Sequence, residues 1–131
     1  MSNPYEETTY QSQLIAIRVG QQHPSLDEVL RCNGLTTWAF ITAWNRNGEL
    51  DSMSDNQHAN EQLLEEVKQK GYIILPGWGI GDDRCWPPEA SFLLLGINEQ
   101  QAIALAQKYQ QRALLVGTIG DIAKLHYTSE R

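Results

Sequence analysis

Glu89, Asn45 and Asn56 are the side chains of this 131-residue chain whose types and settings best suit chemistry. Glu89 stands at the mouth of the apolar run Ser91 to Gly96, a setting suited to a catalytic general acid/base. A structural reading stands beside it, in which the carboxylate accepts backbone N–H groups of the 77–86 loop. Asn45 and Asn56 carry carboxamides that donate and accept at once, which fits them to grip a polar ligand or to brace a loop. Ser91 belongs to the same candidate binding set, as does Trp86, which together with Trp78 offers a stacking wall or packs a loop onto the core. Arg46 and Arg84 would bring positive charge to the rim, with Asp82 and Asp83 beside them to offset it. Surface pairing with local acids is the ordinary use of such arginines.

Other chemistries find less support. No GxSxG elbow surrounds Ser91, and neither cysteine has a histidine near it in sequence. Cys32 and Cys85 lie far apart without CxxC spacing, so they read as reduced thiols, and no metal site is expected. Gly77-Trp-Gly79-Ile-Gly81 lacks the GxGxxG spacing of a nucleotide loop, and Trp86-Pro87-Pro88 blocks a following helix; no cofactor is expected. A formal charge of −6 and a pI near 4.9 argue against general nucleic-acid binding, which needs clustered Lys and Arg. No apolar run approaches the roughly 18 residues of a membrane span. Met1-Ser-Asn-Pro-Tyr-Glu-Glu has no leader character, so the expectation is a cytoplasmic protein.

The elements that must position these residues alternate. Residues 1–9 read as a flexible N-terminal arm, 10–127 as one domain and 128–131 as a frayed end. Strands are expected at Leu14 to Val19, Trp38 to Trp44, Tyr72 to Leu75, Ser91 to Gly96, Ala113 to Val116 and Ile122 to Tyr127. Three helices fall between them. The first opens at Pro24-Ser25 with Ser25 as cap, the second at Ser54 with Gln57 completing a capping box, and the third at Asn98. In the third, Ala102, Leu105, Ala106 and Tyr109 recur at the spacing of a core-facing stripe. The order β-α-β-α-β-β-α-β-β gives an α/β domain, with α+β as the alternative: a mixed, centrally parallel sheet of about five or six strands with three helices.

Topology then gathers the polar residues. A crossover through the second helix makes strands 38–44 and 72–75 parallel, so their carboxyl ends share an edge. The segment Pro76 to Pro88 reads as a loop from which strand 91–96 returns antiparallel, starting at that same edge. Asn45 ends one strand, Asn56 begins the inward stripe of the helix with Asn60, Leu63 and Val67, and Glu89 and Ser91 begin the returning strand. They are expected in one crevice. His58 lies off that stripe and reads as solvent-facing.

Thr42-Ala43-Trp44-Asn45, the downstream Asn56, the glycine segment, Glu89-Ala90-Ser91-Phe92-Leu93, Gly96 and the Ala102 to Ala113 segment with Gln111 together resemble the bacterial family catalogued as domain of unknown function 3293. The resemblance spans about residues 8–116 and lies in the order of several short motifs. The family pattern looks like Thr-Ala-x-Asn-Pro, whereas this chain has Arg46 in place of the proline, which leaves the loop after Asn45 less rigid. What the resemblance implies is a small bacterial cytosolic protein, and it brings no assigned activity. The residues themselves read best as a binding module whose rim pocket takes a small polar ligand or a partner's peptide. An enzyme using Glu89 as acid/base, with Asn45 and Asn56 orienting substrate, is the alternative, and an assembly role without ligand is a third.

Overall fold

The computed structural model describes residues 4–12, 15–46, 49–81 and 87–128. Among them run β1 (Thr8–Ser12), β2 (Ile15–Ile17), α1 (Pro24–Cys32), β3 (Thr37–Ile41), α2 (Met53–Gln69), β4 (Ile73–Gly81), β5 (Glu89–Leu95), α3 (Glu99–Lys108), β6 (Ala113–Thr118) and β7 (Lys124–Tyr127). The strands form one sheet in the order β2-β1-β4-β5-β3-β6-β7, antiparallel at every pairing.

That pattern corrects the expected mixed, centrally parallel sheet. β3 and β4 do run the same way, because both pair antiparallel with β5, but β5 lies between them and no strand has a parallel neighbour. A crossover helix commonly joins neighbouring strands, but here α2 carries the chain past one intervening strand. Apolar character on both faces reports burial on two sides and carries no direction. The shared edge survives the change: the carboxyl ends of β3 and β4 meet the amino end of β5.

Two further elements differ. β1 has no apolar run to announce it; Thr8, Tyr10 and Ser12 alternate on one face of a polar strand. β4 continues through the glycine segment to Gly81, where a loop was expected, and Gly77, Gly79 and Gly81 fall on one face because side chains alternate with period two. Pro76 is accommodated where the pairing with β1 has already ended at Trp78.

Strand alternation sorts the core onto the two faces. Ala39, Ile41, Leu94, Leu114 and Val116 face α2 and α3, which contribute Leu63, Val67, Ala102, Leu105 and Ala106. Trp38, Phe40, Leu93, Leu95 and Leu115 face α1, which contributes Leu26 and Leu30. This second cluster draws Ile15 and Ile17 from the β2 edge and packs Leu125 from the β7 edge, so the sheet curls around α1 into a half-barrel. Backbone bonds from Gly20 N to Ala123 O (2.8 Å) and Ala123 N to Gln21 O (3.0 Å) tie the two edges together at one end. Gly117 admits the Trp38 indole there, since a Cβ at this position would lie 2.3 Å from the ring.

Helix starts are only partly as expected. Asn98 forms a full capping box with Gln101. α2 begins earlier than Ser54, with Ser52 Oγ accepting from Asp55 N, and α1 has His23 at its cap position without a side-chain bond. No helix among the described residues is long and apolar enough to cross a membrane.

Candidate functional site

β3 leaves the sheet after Ile41, and the path of the next residues is fixed by side chains rather than by a ladder. Thr42 Oγ1 donates to Ala90 O (2.6 Å) and accepts from Trp44 N (3.0 Å). Asn60 from α2 accepts from Ala43 N (2.8 Å) and donates to Ala90 O (2.9 Å), bridging the loop to β5. Gln111, just beyond α3, donates to Trp44 O (3.2 Å).

Asn45 follows with φ 49°, the left-handed region that asparagine tolerates better than most residues. Its N–H donates to Asn56 Oδ1 (2.7 Å), and its own Oδ1 accepts from Asn56 Nδ2 (2.9 Å) and Asp51 N (3.0 Å). Asn56 Nδ2 also reaches Asp51 O (3.4 Å). Both carboxamides are buried, and the remaining group of the pair, Asn45 Nδ2, donates to Glu89 Oε2 (3.1 Å). Among the described residues no buried side-chain nitrogen or oxygen lacks a partner. The arrangement is a closed polar relay from the first turn of α2 through Asn45 to a partly buried carboxylate at the start of β5.

The structure thus brings Asn45, Asn56 and Glu89 together, with Asn45 and Asn56 holding loop backbone as well as each other. Ser91 is buried on the same face of β5 as Glu89, and its Oγ donates to Glu89 O (3.0 Å). Arg46 turns to Asp51, with Nε to Oδ2 at 3.0 Å, and its side-chain hydrogen bond is the largest influence holding the Asp51 carboxyl below its ordinary range. Arg84 and Trp86 lie outside the described residues, as do Cys85, Asp82 and Asp83. Cys32 is an exposed free thiol, and His58 is exposed on α2. No three His, Cys, Asp or Glu side chains among the described residues gather closely enough to hold a metal ion.

On the α1 face, the row of residues across β1, β4 and β5 reads Tyr10, Gly79, Glu89. Tyr10 packs edge-on against Phe40, ring centroids 5.3 Å apart, and its hydroxyl donates to Tyr5 O (2.8 Å). Tyr5 in turn meets Tyr127 of β7 edge-on at 6.1 Å. Burial raises the phenols of Tyr5 and Tyr10 above the usual tyrosine range, with the Glu89 charge adding to the shift in both. These tyrosines were not singled out in the sequence. Tyr10 carried a weak signal, alternating with Thr8 and Ser12. Asn60 carried a stronger one, a carboxamide on the same inward stripe as Asn56.

A concavity of about 740 Å3 opens on the other face between α2 and α3, with Arg46, Glu66, Lys70, Lys108 and Tyr109 in its lining. Glu66 gathers three of these groups, taking Lys108 at 2.9 Å, Lys70 at 3.5 Å and the Tyr109 hydroxyl at 2.8 Å. Burial and the Glu66 bond push the Tyr109 phenol up to about 12. This groove is a helix-to-helix tie, whereas Glu89 is held by Asn45 at the start of β5.

No curated protein and no solved structure matches the chain. A family model described as protein of unknown function (DUF3293) matches residues 41–114, a span that begins at the end of β3, contains Asn45, Asn56, Asn60, Glu89 and Gln111, and ends in β6. The relay that fixes Glu89 therefore falls within the matched region, which covers more than half of the chain, and the protein belongs to the DUF3293 family.

Proposed function

We propose that the protein is a small-molecule binding module whose ligand meets Glu89 at the mouth of the half-barrel. The observation that carries this reading is the Asn45 to Glu89 bond of 3.1 Å, made by a buried carboxamide whose oxygen is already engaged by Asn56 and Asp51. A carboxylate held by groups that cannot themselves relax lowers the entropy lost when a ligand is gripped. Asn45 and Asn56 act as positioning residues in this reading, and Glu89 is the group offered to the ligand.

The test is a thermal-shift screen of a broad metabolite library against the full chain, repeated on Glu89→Gln. Glutamine can still accept from Asn45 Nδ2, so the variant should fold while losing the charge. A ligand present at 100 times its Kd should stabilise the wild type by about 2.7 kcal/mol. Stabilisation that is lost in Glu89→Gln is the expected result. A library without hits, or hits indifferent to the substitution, would count against the reading.

A further inference from the structure

β2 and β7 stand at opposite edges of the sheet, and residues 18–23 join them at one end. Gly20 N donates to Ala123 O at 2.8 Å, Ala123 N donates to Gln21 O at 3.0 Å, and Gln22 Nε2 reaches Gly120 O at 3.3 Å. These bonds form a seam. Ala123 itself is buried in the cluster that holds Ile15, Ile17, Leu26 and Leu30. On the β2 side the seam is carried by a turn, closed by Gln21 N to Arg18 O at 3.3 Å, with Gly20 at φ 82°. One side chain spans that turn. His23 Nε2 accepts from Arg18 N at 3.1 Å, so the imidazole braces the residues that reach across to Ala123.

An imidazole accepts at Nε2 only in the neutral form that carries its proton on Nδ1, and a second proton turns the acceptor into a donor. Two N–H groups would then face each other, so protonation removes the bond rather than weakening it. The helix adds to this, because His23 is the N-cap residue of α1 and the positive end of the dipole opposes a further positive charge. Burial likewise holds the His23 pKa below its ordinary value, against the pull of Asp27 in the first turn of α1. Other charged groups on the elements that meet here have partners. Arg18 turns its guanidinium to Thr9 Oγ1 at 2.7 Å, Glu28 pairs with Arg31 at 2.6 Å, and across the seam Asp121 pairs with Lys124 at 3.7 Å. We infer that His23 is an acid-operated latch: on protonation it lets go of the Arg18 N–H, the 18–23 turn comes away from Ala123, and the half-barrel opens at this end. The opening is local, because none of the strand ladders from β2 through to β7 passes through residues 18–23. It is independent of what binds at Glu89.

The test follows amide hydrogen exchange of the labelled full chain by NMR from about pH 7.5 to about pH 4.5, a range that brackets histidine titration. Protection of the Gly20 and Ala123 amides, taken relative to an unstructured chain at each pH, should fall about tenfold or more, as the loss of one backbone bond requires. The midpoint should match that of the His23 ring resonances, and the amides of β3 and β5 should keep their protection. His23→Gln retains a neutral acceptor, so its seam should stay closed across the range. His23→Leu has none, so its seam amides should exchange fast at both ends. The inference is overturned if seam protection is indifferent to pH, if it falls as far in His23→Gln as in wild type, or if β3 and β5 lose protection in step with it. A seam that stays closed in His23→Leu overturns it too; should that variant not fold, the comparison of wild type with His23→Gln decides alone.

Discussion

Replacing Asn56 with alanine should show how firmly the relay is built. Asn56 is 3% exposed and accepts from Asn45 N at 2.7 Å while donating to Asn45 Oδ1 at 2.9 Å. Alanine leaves the Asn45 N–H buried without an acceptor, a loss of about 1–3 kcal/mol, and removes a second bond worth about 1 kcal/mol. The total is about 2–4 kcal/mol. For a domain of this size each kcal/mol moves Tm by about 4 °C, so the drop should be about 8–16 °C. Urea unfolding followed by tryptophan fluorescence measures it, with an unchanged m-value showing that the two states are otherwise the same. Asn56→Asp serves as a control. It keeps an acceptor for Asn45 N–H but sets a carboxylate against Asn45 Oδ1 and Asp51 O, so its stability should recover as pH falls and the new acid regains a proton to donate. A loss below about 0.5 kcal/mol in Asn56→Ala would refute the claim that these bonds are buried and complete.

Other expectations follow from the same structure. Asn45→Gly keeps the left-handed backbone and removes the side chain that holds Glu89, so it should cost about 1–3 kcal/mol in urea titrations and weaken any ligand that depends on Glu89. Gly117→Ala, with its Cβ driven into the Trp38 ring, should cost about 1–3 kcal/mol, whereas Gly79→Val should leave stability unchanged or raise it by about 0.5–1 kcal/mol, a contrast that thermal melts resolve. His23 Nε2 accepts from Arg18 N at 3.1 Å, which needs the neutral ring, and burial lowers its pKa against the pull of Asp27. With the folded value below the unfolded one, this contribution is full above about pH 6.5 and is lost as pH falls through the folded value, and His23→Gln should flatten that limb of a stability-against-pH curve.

The sequence disclosed the convergence better than the architecture. Asn45, Asn56 and Glu89 could be placed at one sheet edge because strand direction follows from element order, and direction is the same whether β5 lies beside β3 and β4 or between them. Pairing is a different matter: it depends on which edges meet, and the apolar run of β5 reports only that both its faces are covered. The glycine segment misled because glycine usually marks turns; as strand β4 its every-second-residue spacing sets the glycines on one face, where Phe40 fills the space over Gly77. Tyr5 and Tyr10 reach the site from β1 and the residues before it, a polar stretch with no periodic signal strong enough to bring it into the sheet. How far Asn45 and Asn56 engage loop backbone was open in sequence, where a carboxamide suits a ligand and a loop equally.

Chemical-shift mapping tests the central claim most directly. The amide spectrum of the labelled full chain is recorded with and without the tightest ligand from the metabolite screen. The account holds that the perturbed amides cluster at Tyr10, Gly79 and Glu89, with smaller shifts at Asn45, and that Glu89→Gln abolishes them at the same ligand concentration. Perturbations confined to the groove between α2 and α3, around Glu66 and Lys108, would contradict it.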